Sequence, residues 1–69
     1  MELRSPGVGK VLRLAVALGA QVERGEELMV IESMKVEIPI KATAAGRVKE
    51  IHVKVGDQVQ RHGVLVKIE

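Results

Sequence analysis

Displaced by 37 residues along itself, the chain aligns with no gap, so that Gly9 through Glu32 falls on Gly46 through Glu69. Ten of the 24 pairs are identical: Gly9/Gly46, Val11/Val48, Val16/Val53, Gly19/Gly56, Gln21/Gln58, Val22/Val59, Arg24/Arg61, Leu28/Leu65, Ile31/Ile68 and Glu32/Glu69. Lys10/Arg47, Leu14/Ile51, Leu18/Val55 and Met29/Val66 are conservative besides. Coincidence is a poor explanation for identities that include glycines at matched punctuation points. Self-similarity of this kind marks a supersecondary unit that buries its apolar face against its own copy. In 69 residues there is room for one domain, residues 1–69, with repeats 9–32 and 46–69 joined through Ser33 to Ala45.

The unit reads as β. In the second copy Ile51, Val53 and Val55 alternate with His52 and Lys54, the period of a half-buried strand. Leu14, Val16 and Leu18 stand at the matching places of the first copy, alternating with Ala15 and Ala17. Each of these strands then meets Gly19 or Gly56, where positive φ can turn the chain. Val22 and Val59 follow as single apolar plugs in the turn, and a second glycine restarts the chain as Leu28–Ile31 or Leu65–Ile68. Pro6 and Pro39 fall outside central strand positions, and no segment carries helical periodicity with caps. The expectation is two small sheets facing each other around one core. Pseudo-twofold symmetry would put the joining segment and the two termini on the axis, at opposite ends, with the joiner an exposed hairpin.

Composition excludes most chemistry. Apolar residues make up 46% of the chain, enough for a core, yet there is no Phe, Tyr, Trp or Cys. Disulfides, thiolate nucleophiles and cysteine-based metal or iron–sulfur sites are therefore excluded. So are aromatic platforms for stacking bases. The serines are Ser5 and Ser33, the lone Asp is Asp57, and the histidines are His52 and His62, so a triad or a three-ligand metal site would need nearly all of them to converge. The formal net charge of +2 comes from dispersed Lys and Arg with no run to grip phosphates, which argues against a nucleic-acid partner. The longest uncharged stretch, Leu14 to Val22, is far short of a membrane span, and the N-terminus lacks the apolar segment of a signal peptide. No membrane insertion and a cytoplasmic location are expected, or an organellar matrix if the chain is trimmed from a longer one.

The joiner reads Val30-Ile31-Glu32-Ser33-Met34-Lys35-Val36-Glu37-Ile38-Pro39-Ile40. Most lysines at a hairpin tip are only solvated charges. Here Met34 and Val36 place apolar side chains beside a tip that should favour Gly, Asn or Asp. An exposed apolar pair next to one amine suggests that something recognises the tip.

With these residues the chain resembles the biotinyl/lipoyl attachment domain, the swinging-arm carrier of biotin-dependent carboxylases and 2-oxoacid dehydrogenase complexes. The resemblance runs through Ser5-Pro6…Gly9, the Gly19…Val22…Gly25 and Gly56-Asp57…Val59 turns, Glu32-Ser33-Met34-Lys35 and Glu37-Ile38-Pro39. It implies a flattened all-β barrel of two four-stranded antiparallel sheets with Lys35 at the apex of a tight turn. It also implies covalent attachment of the cofactor to Lys35 by a ligase, through an acyl-adenylate. The arm would then carry carboxylate between biotin carboxylase and carboxyltransferase sites, and the barrel itself would be no enzyme.

The flanks of Lys35 bear on the cofactor. Met34 favours biotin, because lipoyl domains usually place Asp there, and Ser33 is close to the small residue of biotinyl domains. Val36 departs from the second Met that biotinyl domains most often carry and matches lipoyl domains better, so lipoate is the alternative. Glu32 and Glu37 either contact a ligase or keep the tip soluble. Two further departures are Gly7, where an apolar Met is common, and His62-Gly63, which displaces a glycine by one place. His62 is expected to hold a left-handed backbone position, and His52 to sit on the polar face of a strand. The chain lacks the inserted thumb of some bacterial carboxylase carriers. Outside the carrier class stand a basic nucleic-acid-binding barrel and an unmodified structural module, the latter predicting that Lys35→Ala affects stability alone.

Overall fold

Short apolar runs broken by glycines become eight strands in the computed structural model, which describes residues 1–69. They are β1 (Glu2–Arg4), β2 (Gly9–Leu14), β3 (Gln21–Val22), β4 (Glu27–Ser33), β5 (Val36–Lys41), β6 (Gly46–Ile51), β7 (Gln58–Val59) and β8 (Val64–Ile68). One four-stranded sheet has the order β1-β8-β6-β3 and the other β5-β4-β2-β7, antiparallel throughout. The all-β, two-sheet architecture expected from the repeat is the one found. Pro39 does lie within a strand, but that strand is the edge strand β5, where a missing N–H leaves no ladder bond broken.

The repeat holds residue for residue in the pairing. In β4–β5, Val30 faces Pro39, Met29 faces Ile40 and Glu27 faces Lys41. In β8–β1 the same steps are Lys67 with Glu2, Val66 with Leu3 and Val64 with Arg4, including the irregularity at the third pair. The β2–β4 and β6–β8 registers match in the same way. The β4–β5 hairpin is therefore the pseudo-twofold mate of the gap between Glu69 and Met1, where the Met1 ammonium donates to the Ile68 carbonyl at 2.7 Å. This corrects one expectation: the axis exchanges the joiner with the chain ends, so neither lies on it. It also extends the repeat to β1 and β5, which share no identity but carry the conservative pairs Leu3/Ile40 and Arg4/Lys41.

The core obeys the same symmetry. Its thirteen buried residues comprise the mates Val11/Val48, Val22/Val59, Leu28/Leu65, Met29/Val66, Ile31/Ile68 and Leu3/Ile40, with Ala42 over. The mate of Ala42 is Ser5, which is buried and donates its hydroxyl to the Gly7 carbonyl at 2.5 Å. Each fully buried Val, Leu or Ile contributes about 1.5–3 kcal/mol, and with no aromatic ring available these aliphatic pairs carry the stability. Close approach of the paired strands β2 and β4 at Gly9 demands glycine, since a Cβ there would stand 2.6 Å from the Glu32 carbonyl oxygen and 2.7 Å from Ile31 Cγ2. Gly46 meets Glu69 and Ile68 in the same manner.

Two local expectations are corrected. The alternating residues after Leu14 and Ile51 are not strand: β2 and β6 end there, and the last ladder-like bonds are Ala15 N to Leu28 O and His52 N to Leu65 O. Val16 and Val53 still pack on the core, so the in-and-out alternation persists in an extended segment that has left its neighbour. His52 accordingly lies just past β6, exposed, with Nε2 2.8 Å from Glu50 Oε1. Val22 and Val59 are buried as expected, but within two-residue strands. Gly19, Gly56 and His62 all have positive φ, His62 at 67° in the place where its mate Gly25 has 87°.

Candidate functional site

Strand β4 ends at Ser33 and β5 begins at Val36, with Ser33 and Val36 paired, so only Met34 and Lys35 make the connection. Both have positive φ, 52° and 65°, the signature of the two-residue turn whose twist suits a hairpin. That geometry is ordinarily filled by Asn-Gly. A side chain in the left-handed region costs roughly 1–2 kcal/mol per residue. Two consecutive long side chains held there are a backbone cost with no packing return, which points to what those side chains do outside the fold.

Nothing in the fold engages them. Met34 is 92% exposed and Val36 59%, and Lys35 is exposed with no hydrogen bond or ion pair to its ammonium group. The half-buried Ser33 hydroxyl donates to the Val8 carbonyl at 2.7 Å, tying the hairpin base to the loop before β2. Val8 itself is 53% exposed. Sequence reasoning did not find Val8, and no local signal could have, since 25 residues separate it from Ser33.

Glu32 and Glu37 are directly opposed across β4 and β5, an unfavourable like-charge pair. Each has a cationic neighbour: Lys10 pairs with Glu32 in register, and Arg13 Nη1 lies 3.6 Å from Glu37 Oε1. Both carboxylates are exposed, so solvent keeps these attractions small. Ser33, Met34, Lys35, Val36, Glu32 and Glu37 thus share one hairpin end.

The opposite sheet carries a different surface. On the hairpin's own sheet Val30, buried but outside the core cluster, lies in register between Arg13 and Pro39. Its mate Lys67 bridges Glu2 Oε2 at 3.6 Å and Glu50 Oε1 at 3.8 Å. The hydrogen bond from Arg4 holds the Glu2 carboxyl below its ordinary value, and the hydrogen bond to His52, with Lys67 nearby, does the same for Glu50. These charges lie away from the hairpin. No three His, Asp or Glu side chains converge to hold a metal, and no pocket opens in the surface. What the hairpin end can offer chemically is one primary amine, nucleophilic when deprotonated, presented on a stiff turn between apolar flanks.

Comparison with known proteins agrees with that geometry. The family model described as "Biotin-requiring enzyme" matches residues 1–68. The chain is 43% identical over 60 residues to the biotin/lipoyl attachment protein of Bacillus subtilis, covering 87% of this chain and 82% of that one. It is 39% identical over 67 residues to the biotinylated protein TB7.3 homolog of Mycobacterium leprae, covering 97% and 94%. Against the mitochondrial propionyl-CoA carboxylase alpha chain of Rattus norvegicus it is 42% identical, covering 97% of this chain and 9% of the relative. Among solved structures, the urea carboxylase of Kluyveromyces lactis superposes with a TM-score of 0.92 at 33% identity, over 100% of this chain and 6% of that one. The lipoyl domain of the 2-oxoglutarate dehydrogenase complex from Azotobacter vinelandii superposes with a TM-score of 0.86 at 28% identity, over 99% and 94%. No helix of the structure is long and apolar enough to cross a membrane.

Proposed function

The chain belongs to the biotin/lipoyl attachment family, a family of non-catalytic carriers, and from that membership we propose that it is a biotin carboxyl carrier acylated on Lys35. The observation that carries the reading is the hairpin: an unpaired lysine at the apex of a two-residue turn with positive φ at both positions. Relatives described as a biotinylated protein and as carboxylase chains support biotin. Met34 beside the lysine supports it too.

A biotin ligase would present the cofactor carboxyl as an acyl-adenylate. Lys35 Nζ, having lost a proton to solvent or the ligase, attacks the acyl carbon; the new N–C bond forms as the C–O bond to phosphate breaks, adenylate leaves, and the nitrogen gives up a second proton to solvent as it becomes the amide. No ion pair has to be broken for the amine to enter the ligase. Once attached, biotin supplies a ureido nitrogen that takes up and releases carboxylate. The two paired strands below Lys35 hold the arm at one end of the barrel. Two partner sites, a biotin carboxylase and a carboxyltransferase, then meet it at high effective concentration. Glu32 and Glu37 surround the tip with carboxylates, and Ser33 anchors the hairpin base through Val8.

The second reading, a lipoyl carrier, rests on the superposition with the lipoyl domain and on Val36. Co-expression with a biotin ligase and, separately, a lipoate ligase distinguishes them, read by intact mass on wild type and Lys35→Arg. A single biotinyl increment on wild type and none on the variant is expected. A lipoyl increment alone would select the second reading, and no increment with either, from folded protein, would overturn both.

A further inference from the structure

We propose that Met34 is a redox-modified site: peroxide-class oxidants convert its thioether to the sulfoxide in preference to the other methionines, and the sulfoxide slows acylation of Lys35. The second half of this inference rests on the carrier reading above.

The chain contains three methionines in three environments. Met29 is completely buried in the core, out of reach of solvent. Met1 is 47% exposed, and its sulfur accepts a hydrogen bond from the Thr43 hydroxyl at 2.7 Å. Met34 is 92% exposed with no partner on its sulfur. Its position in the turn, φ 52° with Lys35 at 65° behind it, removes it from the pleat, so neither neighbouring strand shields it. Both sulfur lone pairs are open to approach.

The chemistry balances with the oxidant alone. A Met34 sulfur lone pair attacks one peroxide oxygen; the S–O bond forms as the O–O bond breaks, and the departing hydroxide takes up the proton and leaves as water. Sulfur is oxidised by two electrons and the peroxide is reduced by two. The product replaces a flexible apolar side chain with a polar, chiral one. Lys35 cannot enter a ligase without the residue before it losing water. A sulfoxide oxygen buried without a hydrogen-bond donor costs enough to slow that step about tenfold.

The test has two readouts. Purified protein is treated with limiting hydrogen peroxide, quenched with catalase, and mapped by peptide mass. Sulfoxide at Met34 should accumulate well before sulfoxide at Met1 or Met29; equal or faster oxidation of either would overturn the selectivity. The oxidised protein, free of peroxide, is then given biotin ligase, biotin and ATP. Wild type should lose about tenfold in acylation rate on oxidation, methionine sulfoxide reductase should restore it, and Met34→Leu should show the same rate before and after peroxide. An unchanged rate in oxidised wild type would overturn the coupling, as would an equal loss in Met34→Leu. Failure of untreated wild type to accept biotin would instead defeat the carrier reading, and the coupling with it, while the peptide map would still judge the selectivity.

Discussion

Replacing Gly9 with alanine should destabilise the protein by about 1–3 kcal/mol, the range for overpacking a filled interior. The Cβ would lie 2.6 Å from the Glu32 carbonyl oxygen and 2.7 Å from Ile31 Cγ2, and real Cβ atoms essentially never approach within 3.0 Å. Neither obstacle can swing aside. The Glu32 backbone is held between β2 and β5, and Ile31 is in the core. Gly9 lacks a left-handed φ, so alanine carries no conformational strain of its own and recovers some unfolded-state entropy, which trims the loss by about 0.5 kcal/mol. Gly46→Ala makes the symmetry-equivalent clash against the Glu69 carbonyl and the core residue Ile68, and should cost a comparable amount. Gly7→Ala, with nothing within 4 Å of the added carbon, is the control and should fall within about 0.5 kcal/mol of wild type. Because a chain of this size has roughly 3–5 kcal/mol of stability in all, the first variant would lose a large part of it. Urea unfolding followed by far-ultraviolet circular dichroism measures this, there being no aromatic fluorescence to follow. If Gly9→Ala and Gly7→Ala unfolded at the same urea concentration, the argument that backbone contact between β2 and β4 demands glycine would be wrong.

Further outcomes follow from the turn and the charges. Met34→Val should be about 1–2 kcal/mol less stable than Met34→Asn, because asparagine tolerates the left-handed region and a β-branched residue does not; equal urea midpoints would contradict the φ of 52° at Met34. His62→Gly should gain up to about 1 kcal/mol by relieving the same strain at φ 67°, read from the shift in midpoint, and a loss would show that the imidazole has a packing role. Glu2 and Glu50 titrate below their ordinary range, so they bind fewer protons folded than unfolded. Their stabilising contribution is therefore present above the unfolded carboxylate pKa and is lost as pH falls through the lowered folded values. Both carboxylates are exposed, so added salt should weaken the effect, and a Glu2→Gln/Glu50→Gln double variant should show a flatter acid limb than wild type. An unchanged limb would remove these two groups as its source.

A good deal of this fold and its site is legible in the amino-acid sequence alone. The repeat announces two copies of a β unit, and glycines and paired valines mark the turns and the buried plugs in both. The isolated Met34-Lys35-Val36 tip points to a recognised amine. Even the left-handed backbone at His62 can be read, because its mate in the repeat is Gly25, a residue without a Cβ. Other features are not legible because they depend on which segments become neighbours. The alternation from Leu14 to Leu18 and from Ile51 to Val55 looks like strand, since side chains alternate wherever the backbone is extended; only partners for the N–H and C=O groups make a ladder, and those end at β4 and β8. The equivalence of β1 and β5 leaves only a faint trace, the conservative pairs Leu3/Ile40 and Arg4/Lys41 without any identity, because a three-residue strand set by backbone pairing needs only one inward apolar side chain. The contact between Ser33 and Val8, the opposed Glu32 and Glu37, and the burial of Val30 outside the core cluster belong to the same class. Local chemistry, a lysine between apolar flanks in a segment that must turn, is the property of the sequence. The tertiary structure decides that this turn is a two-residue hairpin with both side chains turned out. A two-residue connection with positive φ at both positions joins the strands in that register, and it leaves Met34 and Lys35 no surface of their own to pack against.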